Sequence, residues 1–301
     1  MSNKILMTDK LHLSKDSLES TSGAKPSFWA KTQILGGYGL HKNSQGISEL
    51  DEVVFDTTNM VPLGGVQFAM EMLYGVKGPI NIPRLDQEPY NIGAVGSTVT
   101  PSQGMPHAYG QKVCLFGVGY GGTEENNLTV IDVKYNDYEL ASMVPFRYTS
   151  DPLSESDQLK YYGKKTEVVE GEGTTSSVTA YYLKAFDEAP VIHHLRKNGI
   201  DGEDGSEIET KEDAYNTPIG EGIETFTETL LTISKKDVRE WFDHVGKIEE
   251  TRVNSIALFS AVYDDELKDY ANITMFSKLN IPTEPLSLTK DMNIIYRVYG
   301  A

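Results

Sequence analysis

Residues 112–127 read KVCLFGVGYGGTEENN, an apolar run followed by Gly117, Gly119 and Gly122 in G-x-G-x-x-G spacing. In a dinucleotide-binding turn such glycines let the backbone approach a pyrophosphate, and the third opens a helix whose N-terminus faces the phosphate. Here only the five residues TEENN precede the next apolar run, LTVIDVKY at 128–135. That gap cannot hold the crossover helix of a βαβ unit. Glu124 and Glu125 would also place negative charge where phosphate binds. The stretch therefore predicts a strand end, with Gly117, Gly119, Gly121 and Gly122 permitting a bulge and a tight turn.

The other residues with chemical potential form no recognisable constellation. His193 and His194 are adjacent, and adjacent strand residues face opposite ways, so the pair makes a poor chelate. His12, His41, His107 and His244 are scattered, and no Cys/His spacing matches a zinc site. Asp201, Glu203, Asp204 and Gly205 resemble the start of a calcium loop. Counted from Asp201, however, position 5 is Gly205, position 6 is Ser206 and position 12 is Glu212, which is not the EF-hand order. Adventitious calcium is the most this loop suggests. Cys114, the sole cysteine, lies in an apolar run and reads as a small buried residue. It excludes an internal disulfide and fits a reducing compartment. Nucleophile elbow, P-loop and H-E-x-x-H patterns are missing. No catalytic, cofactor-binding or metal-ligating residue is expected, and no cofactor.

The elements that would carry these residues are mostly strands. Residues 1–50 read as a polar, extended arm, and 51–301 as a β-rich body with long loops at 76–111 and 199–222. Within the body, 64–75 predicts a helix with Val66, Ala69, Met70 and Leu73 on a core-facing stripe, closed by Gly75. Five prolines interrupt 76–111, so that segment cannot be one regular element. Strands are expected at 113–118, 128–135, 144–148, 178–186 and 224–233. Ser154, with Asp157 three residues on, opens a short helix closed by Gly163. Ser234 caps a second firm helix over 234–245, with Val238, Trp241, Phe242 and Val245 as its apolar face and Gly246 at its end. Three more strands, 252–263, 270–281 and 293–299, finish the chain, the first two joined across DDELKD. The pattern predicts a mainly β fold with a few short helices, a β-sandwich or barrel-like core with long insertions.

Composition sets outer bounds. The 301 residues carry 27 Lys and Arg against 44 Asp and Glu, a formal net charge of -17. That charge repels phosphate backbones and anionic bilayers, so neither nucleic acid nor membrane is an expected partner. The first twenty residues, broken by charges, do not form a signal-peptide core.

Five stretches, in order, carry a resemblance. They are VVFDTTNMVPLGGVQFAMEMLYGV (53–76), VCLFGVGYGGTEENN (113–127), MVPFRYTSDPLSESDQLKYYGKK (143–165), AYYLKAFDEAP (180–190) and ITMFSKLNIPTEPLSLTKDMNIIYRVYG (273–300). Together they resemble virion structural proteins of tailed bacteriophages, the components of neck, tail or baseplate. The resemblance implies a non-enzymatic subunit, made in the host cytoplasm and found in the virion. Its partners would be copies of itself and other virion proteins, and no small-molecule ligand is expected. The arm and the loop 76–111 could reach such neighbours. The alternative is a carbohydrate- or receptor-binding β module, an adhesin, using exposed aromatics among Trp29, Tyr38, Tyr90, Tyr109 and Tyr120.

Overall fold

The computed structural model describes residues 31–59, 61–99, 110–124, 129–171, 174–197, 204–207 and 223–299. These residues form thirteen strands, three short α-helices and one 3-10 turn. The expectation of a mainly β fold holds, with two antiparallel sheets. The chain divides into two compact units that interleave in sequence. The first takes residues 1–59, 187–233 and 290–301, and the second takes 60–186 and 234–289.

The first unit holds a six-stranded sheet. Its strands are β1 (Lys31–Lys42), β2 (Ser48–Thr57), β8 (Val191–Lys197), β9 (Asp204–Glu207), β10 (Ile223–Ile233) and β13 (Met292–Tyr299). They run in the order β2-β1-β13-β10-β8-β9. The boundary expected at residue 50 falls inside β2, and residues 31–57 form a hairpin of this sheet. Within the acidic stretch 199–222, residues 204–207 pair with β8 as a strand, and the remainder lies outside the described residues. Phe226, Leu195, Ile47 and Tyr299 form an apolar cluster. Beside it the buried Glu228 accepts from the Ser48 N–H at 3.1 Å and from Arg297 Nε at 3.0 Å. Glu228 and Arg297 face each other directly across β10 and β13, the register at which opposite charges support a sheet.

The second unit carries the other sheet. Its strands are β3 (Lys112–Gly119), β4 (Met143–Val144), β5 (Arg147–Thr149), β6 (Tyr161–Gly171), β7 (Thr174–Ala185), β11 (Arg252–Asp264) and β12 (Asp269–Pro285). The order is β12-β11-β3-β7-β5, with β4 against β3 and β6 against β7. Pro145 lacks the N–H that a ladder needs, and the strand expected at 144–148 is split there into β4 and β5. Leu115, Leu183, Phe259, Ile273, Met275 and Tyr162 pack into the main core, with Leu85, Ile92 and Leu140 from connecting segments. Strands β11 and β12 are buried on successive residues, which means both faces are covered.

Strands β12 and β6, neighbours of neither each other nor a common strand, are tied by one carboxylate. Asp269 accepts from the N–H of Gly163 at 2.9 Å, of Lys164 at 2.8 Å and of Tyr270 at 2.8 Å. The segment 84–94 runs along the same join. Leu85 N–H donates to Ile273 O, Gly93 N–H to Lys164 O and Ala94 N–H to Tyr270 O. The free edge of β12 is thereby covered, as an edge strand requires. The described part of the proline-rich segment, 76–99, contains no strand.

Three elements differ from expectation for identifiable reasons. Residues 131–135 do not form a strand. Their polar groups bond elsewhere: Ile131 N–H to Gly122 O, Ile131 O from Asn280 Nδ2, and Tyr135 O from the Leu63 N–H. The helix expected from Ser234 begins only at Arg239, as α3 (Arg239–His244), because Val238 adopts a left-handed φ of 61°. The Ser234 side chain does not cap it. Instead Asp237 turns inward, accepting from the Ser234 N–H at 2.7 Å, from Tyr161 OH at 2.6 Å and from Lys184 Nζ at 2.9 Å. Asp237 and Lys184 are both buried. Burial, then the Asp237 charge, pushes the Tyr161 phenol far up, so it stays a donor. Finally, α2 (Glu155–Gln158) is capped by Ser154 as expected, but Gly163 lies within β6 and does not end the helix.

Asp269→Ala removes the acceptor of three N–H groups and should lower unfolding free energy by about 3 kcal/mol or more in chemical denaturation. Burial raises the Asp269 carboxyl above its ordinary value, against the pull of the Lys164, Gly163 and Tyr270 N–H groups. Between its unfolded and folded titration points the native state binds more protons, so its contribution falls as pH rises. The stability of the native protein relative to Asp269→Asn should therefore increase from pH 7 towards about pH 4.

Candidate functional site

The glycine-rich stretch ends β3 and continues into an isolated bridge between Thr123 and Val130. None of Gly117, Gly119, Gly121 and Gly122 takes a positive φ, so their role is close approach and not a left-handed turn. A Cβ on Gly122 would lie 2.1 Å from the Asn254 carbonyl oxygen. Asn254 in turn pins this end of the strand, its Oδ1 accepting the Gly122 N–H at 2.7 Å and its Nδ2 donating to Thr123 Oγ1 at 2.8 Å. No helix lies between Gly122 and β4 among the described residues. The glycines serve packing between β3, β11 and the 139–143 segment.

The histidines separate as strand alternation requires. His193 is buried and stacked on Phe226, with ring centroids 5.1 Å apart, whereas His194 is exposed with Nδ1 2.9 Å from Thr225 Oγ1. Among the described residues no three His, Cys, Asp or Glu side chains are placed to hold a metal ion. The Asp201 loop lies outside the described residues except for the strand 204–207. Burial pushes the Cys114 thiol up to about 11, which keeps it protonated at neutral pH.

The aromatics considered as a sugar platform do not gather. Trp29 and Tyr109 fall outside the described residues. Tyr38, in the first unit, lies under the Lys290 ammonium at 5.4 Å. Tyr120 packs at a tilt against Trp241 and Phe242, with centroids 5.8 and 6.5 Å away. Tyr90 lines a cleft of about 280 Å³ in the second unit.

Three segments build that cleft. The turn 85–92 supplies Tyr90, held by the bond from Ile92 N–H to Leu85 O. The 139–143 segment supplies Glu139 just before β4. The β6–β7 hairpin supplies Lys165 and Tyr182. Lys165 lies opposite Ala180, so Tyr182 is its diagonal neighbour on the same face. Leu85, Ile92 and Met143 form the apolar part of the wall.

The polar groups are already oriented. Tyr90 OH donates to Glu139 Oε2, and that bond, with burial and the Glu139 charge, holds the phenol up at about 12. Tyr182 OH donates to Glu167 Oε1 at 3.1 Å, and burial together with the Glu167 charge raises its phenol as well. Among the described residues Lys165 makes no ion pair. Of these four groups the sequence singled out only Tyr90. Glu139, Lys165 and Tyr182 come from segments far apart in the chain, and no local spacing links them.

A second surface lies on α1 (Leu63–Tyr74). Of the stripe expected to face the core, Ala69 is buried and Val66 half-buried, but Met70 and Leu73 are exposed. Met70 is 41% exposed, Met72 48%, Leu73 55%, Tyr74 72% and Val76 56%. The buried side carries Gly64, Gly65, Gln67, Phe68, Ala69 and Glu71. The reason is backbone contact with β12: a Cβ on Gly65 would sit 1.9 Å from Phe276 O. The helix lays its glycine side on the strand, which turns Met70 and Leu73 outward. Glu71 anchors the following turn by accepting from Gln67 Nε2 at 2.8 Å and from the Gly78 N–H at 2.9 Å. The end at Gly75 is as expected, in left-handed conformation with φ 64°.

Comparison of the chain with protein-family models, with curated proteins and with solved structures returned no match. No helix among the described residues is long and apolar enough to cross a membrane.

Gly122→Ala should cost about 1–3 kcal/mol of stability from overpacking, while millimolar ATP or NAD should leave the melting temperature of both proteins unchanged. Cys114 is half-buried, and with its thiol held up it should react with a thiol reagent at pH 8 more slowly than a free cysteine. Rapid modification of the native protein would contradict the burial argument.

Proposed function

We propose that this protein is a non-enzymatic structural subunit of a tailed-bacteriophage virion, part of the neck, tail or baseplate. In this reading it is made in the host cytoplasm and assembles through contacts with copies of itself and with other virion proteins. The observation that carries the reading is the outward apolar side of α1. Met70, Leu73 and Tyr74 are spaced to share one helix face, and Val76 follows directly.

Such a surface is unusual on a chain with net charge -17, whose charge otherwise favours solubility and separation. Burying each of these side chains contributes roughly 1.5–3 kcal/mol, enough for a few of them to drive association of many copies. The ordered stretches that resemble virion proteins supply the class of assembly. Two of them, 53–76 and 273–300, contain α1 and most of β12, the strand on which α1 rests.

Light scattering behind size exclusion tests the proposal. The purified chain should form a defined multimer, and Met70→Glu combined with Leu73→Glu should return it to a monomer with an unchanged melting temperature. Both positions are exposed, so the double variant should fold. A native chain that stays monomeric at all concentrations, and is absent from purified particles, would overturn the reading.

A further inference from the structure

We propose that the cleft formed by the 85–92 turn, the 139–143 segment and the β6–β7 hairpin binds a single neutral pyranose ring of a saccharide. This does not depend on the assembly reading. The site and its surface lie within the second unit and involve none of the exposed α1 residues.

Size comes first. At about 280 Å³ the cleft is just below the usual range of ligand-site volumes, which suits one sugar ring and not a nucleotide. Chemistry narrows it further. The Tyr90 phenol has committed its proton to Glu139 Oε2, leaving Oε1 of that carboxylate as an acceptor at the rim. Lys165 presents donors and no acceptor. One hydroxyl of a diol can donate to Glu139 while its neighbour accepts from Lys165.

Charged ligands fit less well. An anion would meet Glu139, with Glu167 directly behind Tyr182. A cation would meet Lys165. A small zwitterion could satisfy both charges but would leave the apolar wall of Leu85, Ile92 and Met143 without a partner. A pyranose has a C–H face for that wall and for the tyrosine rings, whose bodies are apolar and whose hydroxyls are polar. Tyr182 is held in place by Glu167, so little side-chain freedom is lost on binding.

Saturation-transfer NMR on the full chain tests this with the methyl glycosides of glucose, galactose and N-acetylglucosamine, and with glycine as the zwitterion. At least one glycoside should bind in the millimolar range. Its affinity should fall about tenfold in Glu139→Ala and in Lys165→Met, the loss expected for one hydrogen bond to a charged group. Glu139 is exposed and Lys165 half-buried, so melting temperatures should hold, and the Lys165 variant carries the test if the Glu139 one is destabilised. Absence of binding by all three glycosides, binding unchanged in both variants, or binding of glycine alone would each overturn the proposal.

Discussion

The Asp269 carboxylate is the join on which the second unit depends. Strands β12 and β6 lie at different ends of the sheet order, and no ladder connects them. What brings them together is one side chain accepting three backbone N–H groups, two of them from β6. The geometry has a cost, because burial disfavours the charged form and raises the carboxyl. Three N–H donors offset that cost only while Gly163 and Lys164 stay in place. The next residue along β6 is Lys165, and Gly93 bonds to Lys164 O. The cleft floor and one cleft wall therefore take their positions from the same join.

The same device recurs through the chain. Glu228 accepts from the Ser48 N–H, Asp237 from that of Ser234, Glu71 from that of Gly78 and Asp86 from that of Ile273. Each carboxylate is buried, and each fixes a backbone N–H of a neighbouring segment or turn. Isolated buried charges are destabilising, so a cation or a second donor accompanies most of them: Arg297 for Glu228, Lys184 for Asp237, Arg84 for Asp86. Many other acidic residues among those described are exposed. A handful act as splices.

This division explains what could be read in advance. The strands at 113–118, 224–233 and 252–299 were legible, because apolar runs and turn residues bound them directly. So was Ser154, whose cap is local. The direction of α1 was not, because its apolar periodicity points one way while the close contact of Gly65 with Phe276 O points the other. Backbone contact won, since a helix can approach a strand most closely on its smallest residues. The apparent strand at 128–135 was misleading because its alternation is real but its hydrogen bonds go to Gly122, Asn280 and Leu63. Asp237 looked like the third residue of a capped helix and proved to be the partner of Lys184, which lies 53 positions earlier. Glu139, Lys165 and Tyr182 meet only through the tertiary structure, so no reading of neighbouring residues could join them.

The pairing of β1 with β13 has a consequence for synthesis. Lys31 is opposite Tyr299, and Gly37 opposite Asn293. On the ribosome, the hairpin of β1 and β2 emerges early, yet the central neighbour of its sheet is made only after residue 290. Until then β1 exposes one full row of ladder groups. The second unit, complete at residue 289, can close first. The chain is thus ordered in time as second unit, then the sheet of the first, and a message truncated shortly before β13 would yield a finished second unit trailing an unpaired, adhesive hairpin.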